Sequence, residues 1–207
     1  AELISGALTR SRTSAENALS VARALLAAEL AGQSGHGLRR VEAYSAQAKA
    51  GKVDGFAVPT ATETRPGALA IDAANGFAYP AMDLALEWLP QAAKSQGIAI
   101  AGIRRSHHCG VAGVIVEALA ERGVAALMVA NAPAAMAPWG GRRPLFGTDP
   151  IAFAAPLSDG APVVVDISLS KVARGKIMAA AQKGEPIPEG WALDPDGRPT
   201  TDAKAAM

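Results

Sequence analysis

The stretch RSHHCGVAG, residues 105–113, sets two of the chain's three histidines beside its only cysteine. Those residue types can ligate a metal, arm a thiolate or move a proton. Zinc asks for three or four ligands at recognisable spacings. The stock of His and Cys here shows neither C-x-x-C nor H-E-x-x-H, so no metal ligand is assigned. A Cys109 nucleophile served by His108 is disfavoured because successive residues of an extended segment point to opposite sides; Cys109 reads better as a small buried apolar residue. Acid/base work by His107 or His108 remains, since an imidazole titrates at about 6.5 and transfers protons near neutrality. A purely structural histidine is the competing reading. Upstream, His36, Arg40 and Tyr44 stand four residues apart in a segment read as helical, which puts them on one face. A guanidinium is a natural fork for a carboxylate, and Gly35 and Gly37 let a ligand come close to the backbone beside His36. An ordinary solvated helix face is the alternative.

These residues need elements to hold them. Thr13 with Glu16 reads as a capping box, followed by Leu19, Ala22, Leu25, Leu26 and Leu30 at helical spacing up to Gly32. A second helix runs to Gly51. A polar, proline-marked connection then leads to a short strand, ALAIDA (68–73). Residues 80–95 are helical in pattern, with Pro90 expected to kink or end the helix. GIAIAGIRR, from 97, is an alternating strand that feeds the histidines. A helix (111–122), a strand (124–130), a long Gly/Pro-rich loop, the strands IAFAAP and PVVVDIS, and a helix from near Lys171 follow. The class is mixed α/β or α+β.

Composition narrows the partners. Half the residues are apolar and the net charge is +1, with basic residues scattered, so neither nucleic acid nor an anionic membrane is indicated. One cysteine makes no internal disulfide, and the first residues lack a secretory pattern, so a cytoplasmic location is expected. The longest uncharged stretch, 123–141, is broken by Asn131, Pro133 and Pro138, which argues against a membrane span. No G-x-G-x-x-G opens a helix and no P-loop occurs. The chain starts without Met and stops at TTDAKAAM, so both ends are read as cut.

Six ordered blocks carry a resemblance: GHGLRRVEAY (35–44), GIRRSHHCGVAG (102–113), NAPAAMAPWGG (131–141), GTDPIAFAAP (147–156), VDISLSKVARGKIMAA (165–180) and GEPIPEGWALDPDGRPTTD (184–202). Together the sequence resembles the type 2 malate/L-lactate dehydrogenases, NAD(P)-dependent oxidoreductases unrelated to the Rossmann-type enzymes. The resemblance implies a non-Rossmann fold round a mostly antiparallel sheet, with an N-terminal helical lobe (1–66) and an NAD(P)-binding sheet domain (67–207). It implies substrate contacts from His36, Arg40 and Tyr44, acid/base work by His108, and NAD or NADP against Asn131, Asp166, Ile167 and Ser168. A small carboxylate substrate of the 2-oxo or 2-hydroxy type and a homodimer are implied as well.

The sequence also departs from the family pattern. Ser34 and Gly35 stand where Asp-Ser is usual, His107 replaces Asn, Cys109 replaces an aromatic, and Asp149 replaces Asn. The space left by the aromatic suits a larger or cyclic substrate, so a reductase of cyclic 2-imino acids is the alternative on the same scaffold. The family also continues beyond GRPTTD, so a truncated homologue without turnover is a further alternative. A metal-dependent lyase or hydrolase using His36, His107 and His108 is the last.

Overall fold

The computed structural model describes residues 1–207, and its class is mixed α/β. It opens with a helix that no capping pattern announced, α1 (Glu2–Thr9), which has no side-chain N-cap bond. Helix α2 (Ala15–Leu30) is capped by Ser14, whose hydroxyl accepts from the Asn17 N–H at 3.2 Å. The cap is therefore one residue later than Thr13, which is buried with its hydroxyl unpartnered. The buried stripe of α2 is Ala18, Val21, Ala22, Leu25 and Ala28, while Leu19, Leu26 and Leu30 are 40%, 38% and 82% exposed. Helix α1 buries Ile4 and Leu8 and packs on α2. Asn17 is the one buried amide of the helix. Its Nδ2 donates to Gly55 O and Ala57 O, both at 2.9 Å, tying the 55–57 segment down.

The helix read over His36 starts later than its pattern implied. Residues 34–39 form a run of turns, with His36 N–H donating to Gln33 O and Arg40 N–H to Gly37 O, and α3 spans Arg40–Lys49. The Glu29 carboxylate accepts from Leu38 N–H at 2.9 Å. A Cβ on Gly37 would lie 3.2 Å from the Glu29 backbone nitrogen and against its carboxylate. Glycine thus lets the turn press against α2.

Strand β1 (Thr60–Arg65) lies inside the connection read as polar. It is exposed along its whole length, so it shows no hydrophobic alternation. β1 pairs antiparallel with β2 (Ala68–Asp72), which pairs in parallel with β3 (Ile100–Arg104) through the crossover helix α4 (Ala78–Gln96). Pro90 sits buried within α4 and does not end it. Proline has no N–H, so the Leu86 carbonyl one turn earlier loses its helical partner, and the Arg122 guanidinium donates to that carbonyl instead. Leu69, Ile71, Ala73, Ala81 and Ala85 form the core between this sheet and α4.

Helix α5 (Ala112–Ala120) follows, then β4 (Ala126–Val129), β5 (Ile151–Ala155) and β6 (Val163–Ile167), in sheet order β4-β5-β6. Helix α6 (Arg174–Lys183) and the two-residue strands β7 (Ala192–Leu193) and β8 (Pro199–Thr200) close the chain. Ile177, Ile187 and Ala203 form a second small core with Trp191. The strands are thus distributed over three small sheets, and one of their pairings, β2 with β3, is parallel. The chain separates into two compact units, residues 1–126 with 153–165, and residues 127–152 with 166–207. Residue 66, expected to end a helical lobe, lies inside the first unit. Leu127, Val129, Val163, Val165 and Ile167 stay exposed. No helix is long and apolar enough to cross a membrane.

Candidate active site

The site is built where the parallel strands β2 and β3 end, the place where open α/β sheets characteristically bind ligands. Beyond Asp72 and Arg104 the two exit segments zip together. Ala73 N–H donates to Arg104 O, Asn75 N–H to Arg105 O and His107 N–H to Gly76 O, at 3.0, 2.8 and 3.0 Å. The Asp72 carboxylate accepts from Arg105 Nε at 2.8 Å, Arg105 Nη2 at 2.9 Å and Arg104 Nη2 at 2.8 Å. Those bonds from Arg105, first of all, hold the Asp72 carboxyl at a pKa of about 2. The strap delivers His107 and His108 to α3 from one side and Tyr79, at the start of α4, from another.

The histidines come together with the upstream residues, as their types suggested. The rings of His36 and His108 stack with centroids 5.2 Å apart and planes within 9°. Tyr44 places its hydroxyl 2.6 Å from His108 Nδ1 and 3.1 Å from the Tyr79 hydroxyl. Gly110 N–H donates to the same His108 Nδ1 at 3.3 Å. Arg40 Nε donates to Gly35 O at 2.8 Å, and its two terminal nitrogens make no hydrogen bond or ion pair within the protein. A guanidinium held by one nitrogen with two left over is what a carboxylate fork requires.

His107 is held differently. Its Nε2 is 2.5 Å from Gln47 Oε1, so it donates there, and its ring meets Tyr44 and Phe77 edge-on. Burial, followed by Lys52 and Arg40, lowers its pKa to about 4. His108 goes lower, to about 3, through burial first and then Arg40, His36 and His107. Burial also raises Tyr44 and Tyr79. His107 and His108 are therefore neutral, with Arg40 as a cation and no carboxylate among the charges that shift these groups. Cys109 is half-buried and in no disulfide, less enclosed than its apolar reading implied. No group of three His, Cys, Asp or Glu side chains converges as a metal site would.

Tyr79, Gln47 and Gly110 were missed in the sequence. Scarcity was the available clue: the chain has two tyrosines and three histidines, and all five gather here. Asn131, Asp166, Ile167 and Ser168 belong to a different set of segments and are all exposed. The Ser168 hydroxyl is 3.2 Å from Thr148 O and 2.6 Å from the Ser170 hydroxyl. Asp149, with φ at +34°, accepts from Ala132 N–H at 2.8 Å beside Asn131.

Known proteins resemble this chain over most or all of its length. The (2R)-3-sulfolactate dehydrogenase (NADP(+)) of Chromohalobacter salexigens is 52% identical over 186 residues, which cover 90% of this chain and 56% of that protein. The Delta(1)-pyrroline-2-carboxylate/Delta(1)-piperideine-2-carboxylate reductase of Pseudomonas aeruginosa is 44% identical over 206 residues, covering 100% of this chain and 62% of that protein. Among solved structures, delta1-piperideine-2-carboxylate reductase from Pseudomonas syringae superposes with a TM-score of 0.95 at 38% identity, over 99% of this chain and 62% of that one. The chain thus spans less than two thirds of the length of these relatives. The family model described as malate/L-lactate dehydrogenase matches residues 1–207, and the chain belongs to that family.

Proposed function

We propose that the protein is an NAD(P)-dependent oxidoreductase that moves a hydride between nicotinamide and a small 2-oxo or 2-hydroxy carboxylate. The observation that carries this reading is the meeting of His36, Tyr44 and His108 beside an Arg40 guanidinium with two uncommitted nitrogens. Arg40 holds the substrate carboxylate, and His36 and Tyr44 complete the polar end of the pocket. His108 moves the proton at the substrate's 2-position oxygen or nitrogen. An anion on Arg40 offsets the charge that, after burial, most lowers His108, so substrate binding itself brings this imidazole nearer the range of a useful acid.

The cofactor suits the chain's exposed donors. Asn131 and Ser168, with Lys171 ahead of α6 and Arg174 and Lys176 in its first turn, supply the kinds of donor that an amide and phosphates require. Asp166 and Ile167 lie beside Ser168 in the same contact. When bound, the nicotinamide supplies or takes the hydride. In this reading residues 1–66 contribute His36, Arg40 and Tyr44 to the substrate, and 67–207 contribute His108 and the cofactor contacts. A homodimer in the cytoplasm completes it, supported by the exposed aliphatic side chains of β4 and β6. A second reading, reduction of cyclic 2-imino acids on the same residues, is favoured by the 44% identity to the Pseudomonas aeruginosa reductase and by Cys109, a small side chain beside His108.

The test is absorbance at the reduced-nicotinamide band, with NADH and NADPH offered against pyruvate, oxaloacetate and the cyclic imines pyrroline- and piperideine-2-carboxylate. Oxidation with one of them, abolished in Arg40→Ala and His108→Asn, is the expected result. Full turnover in either variant defeats the assigned roles, and oxidation with none of the substrates defeats the reading.

A further inference from the structure

We propose that Tyr79 is a positioning residue which, through Tyr44, fixes His108 as the tautomer protonated on Nε2, so that the free site offers a hydrogen-bond donor to an incoming carbonyl or imine. The last clause rests on the function proposed above; the tautomer does not.

Both ends of the hydroxyl chain dictate its direction. At one end, Gly110 N–H can only donate, and it donates to His108 Nδ1, so that nitrogen carries a lone pair. At the other end, Tyr79 is 3% exposed and its hydroxyl has one polar partner, the Tyr44 oxygen. A buried O–H with a single partner donates to it, since a buried proton left unpaired forfeits the hydrogen bond it had to water. Tyr44, already accepting from Tyr79, then turns its own proton onto His108 Nδ1 at 2.6 Å. Every proton in the row points the same way: Tyr79 to Tyr44, Tyr44 to His108.

The consequence falls on the opposite ring nitrogen. Nε2 carries the remaining proton, makes no hydrogen bond within the protein, and is not among the buried unpartnered atoms. It is available to a ligand as a donor. A carbonyl oxygen or imine nitrogen accepts from such a group, whereas a substrate hydroxyl would need a bare nitrogen there. Oxidation of a hydroxy acid therefore requires His108 to shift its proton to Nδ1 and the tyrosine row to reverse. The resting site thus offers a carbonyl or imine a hydrogen bond, and delivery of the Nε2 proton is balanced by uptake of a proton at Nδ1, from the Tyr44 hydroxyl that already points there.

Long-range proton–nitrogen NMR of the full chain with 15N-labelled histidine, free of cofactor and substrate, tests this directly. His108 is expected to be neutral at pH 7 with its proton on Nε2 and with Nδ1 shifted upfield by its two donors. Tyr44→Phe should move the Nδ1 resonance downfield, and Tyr79→Phe should move it the same way by a smaller amount. Both should raise the His108 titration midpoint, because a bond that favours the neutral form is lost or weakened. A proton on Nδ1, or a Tyr79→Phe protein whose His108 resonance stays put, overturns the proposal. If Tyr79→Phe fails to fold, fluorotyrosine replaces the variant: the chain's two tyrosines are this pair, and their stronger donation should move Nδ1 further upfield, with no movement counting against the proposal. A protein that shows the Nε2 tautomer but turns nothing over supports the hydroxyl row and counts against the oxidoreductase reading alone.

Discussion

Tyr44 and His108 are 64 positions apart in the chain, and their polar atoms meet at 2.6 Å. The contact joins helix α3 to the segment leaving β3, so the site and the fold of the first compact unit are secured by the same side chains. What disturbs the histidines should also disturb the fold.

Acid is the first such disturbance. His107 and His108 have pKa values of about 4 and about 3 in the folded chain, against about 6.5 when unfolded. Between those limits the unfolded chain binds more protons, so stability is complete above about pH 6.5 and falls as pH drops towards 3. Each pKa unit corresponds to about 1.4 kcal/mol, so the loss amounts to several kcal/mol. Urea midpoints measured from pH 8 to 4 should be flat above 7 and decline below 6.5. His107→Gln should flatten the decline, and an unchanged slope would show that this ring is not held neutral.

Gly110 carries two demands at once. Its φ is +73°, and a Cβ there would lie 2.7 Å from the Tyr79 hydroxyl. Gly110→Ala is therefore expected to cost about 2 kcal/mol or more, from backbone strain and the clash together, and to displace the tyrosine from Tyr44. Thermal unfolding checks the first effect. An alanine variant as stable as the parent would mean that the loop accommodates the methyl group without strain.

The Asp72 clamp should act on motion more than on stability. Its partners Arg104 and Arg105 are well exposed, and exposed ion pairs contribute little net stability. In Asp72→Asn the melting temperature should shift only slightly, while the amides of Asn75 and His107, which close the strap, should exchange with solvent several-fold faster. Unchanged exchange would show that the backbone bonds hold the strap by themselves.

Arg122 answers a vacancy left by a proline. Arg122→Met removes the donor to Leu86 O and should cost about 1 kcal/mol. The same change combined with Pro90→Ala, which restores a helical N–H for that carbonyl, should cost measurably less than the sum of the two single changes. Strict additivity in a denaturation cycle would disprove the link.

Much of this architecture was legible in the sequence, and the failures have physical causes. Strands with alternating or β-rich composition, such as Ile100–Arg104, were visible, as was the grouping of His36, Arg40 and Tyr44. α2 misled because its burial follows alanine and valine; three of its leucines face outward, so a hydrophobicity count points to the wrong stripe. β1 was invisible because an edge strand exposed on both faces has no alternation to display. Pro90 looked like a terminus because local rules cannot see a guanidinium arriving from residue 122. Tyr79 escaped for a similar reason: its partner Tyr44 lies 35 positions away, and no spacing rule spans that distance. Long-range satisfaction of polar groups is the information that a one-dimensional reading lacks.

The Pro90 and Arg122 pair also constrains the order in which such a helix can be assembled by successive substitutions. An arginine arriving first at position 122 sits harmlessly on the surface, as an exposed cation with water for company. A proline arriving first at position 90 would leave the Leu86 carbonyl without its helical partner, and the ancestor would have to tolerate that loss until an arginine appeared. The low-risk path runs through the cation, so the proline in α4 is tolerated on terms set 32 positions further along the chain.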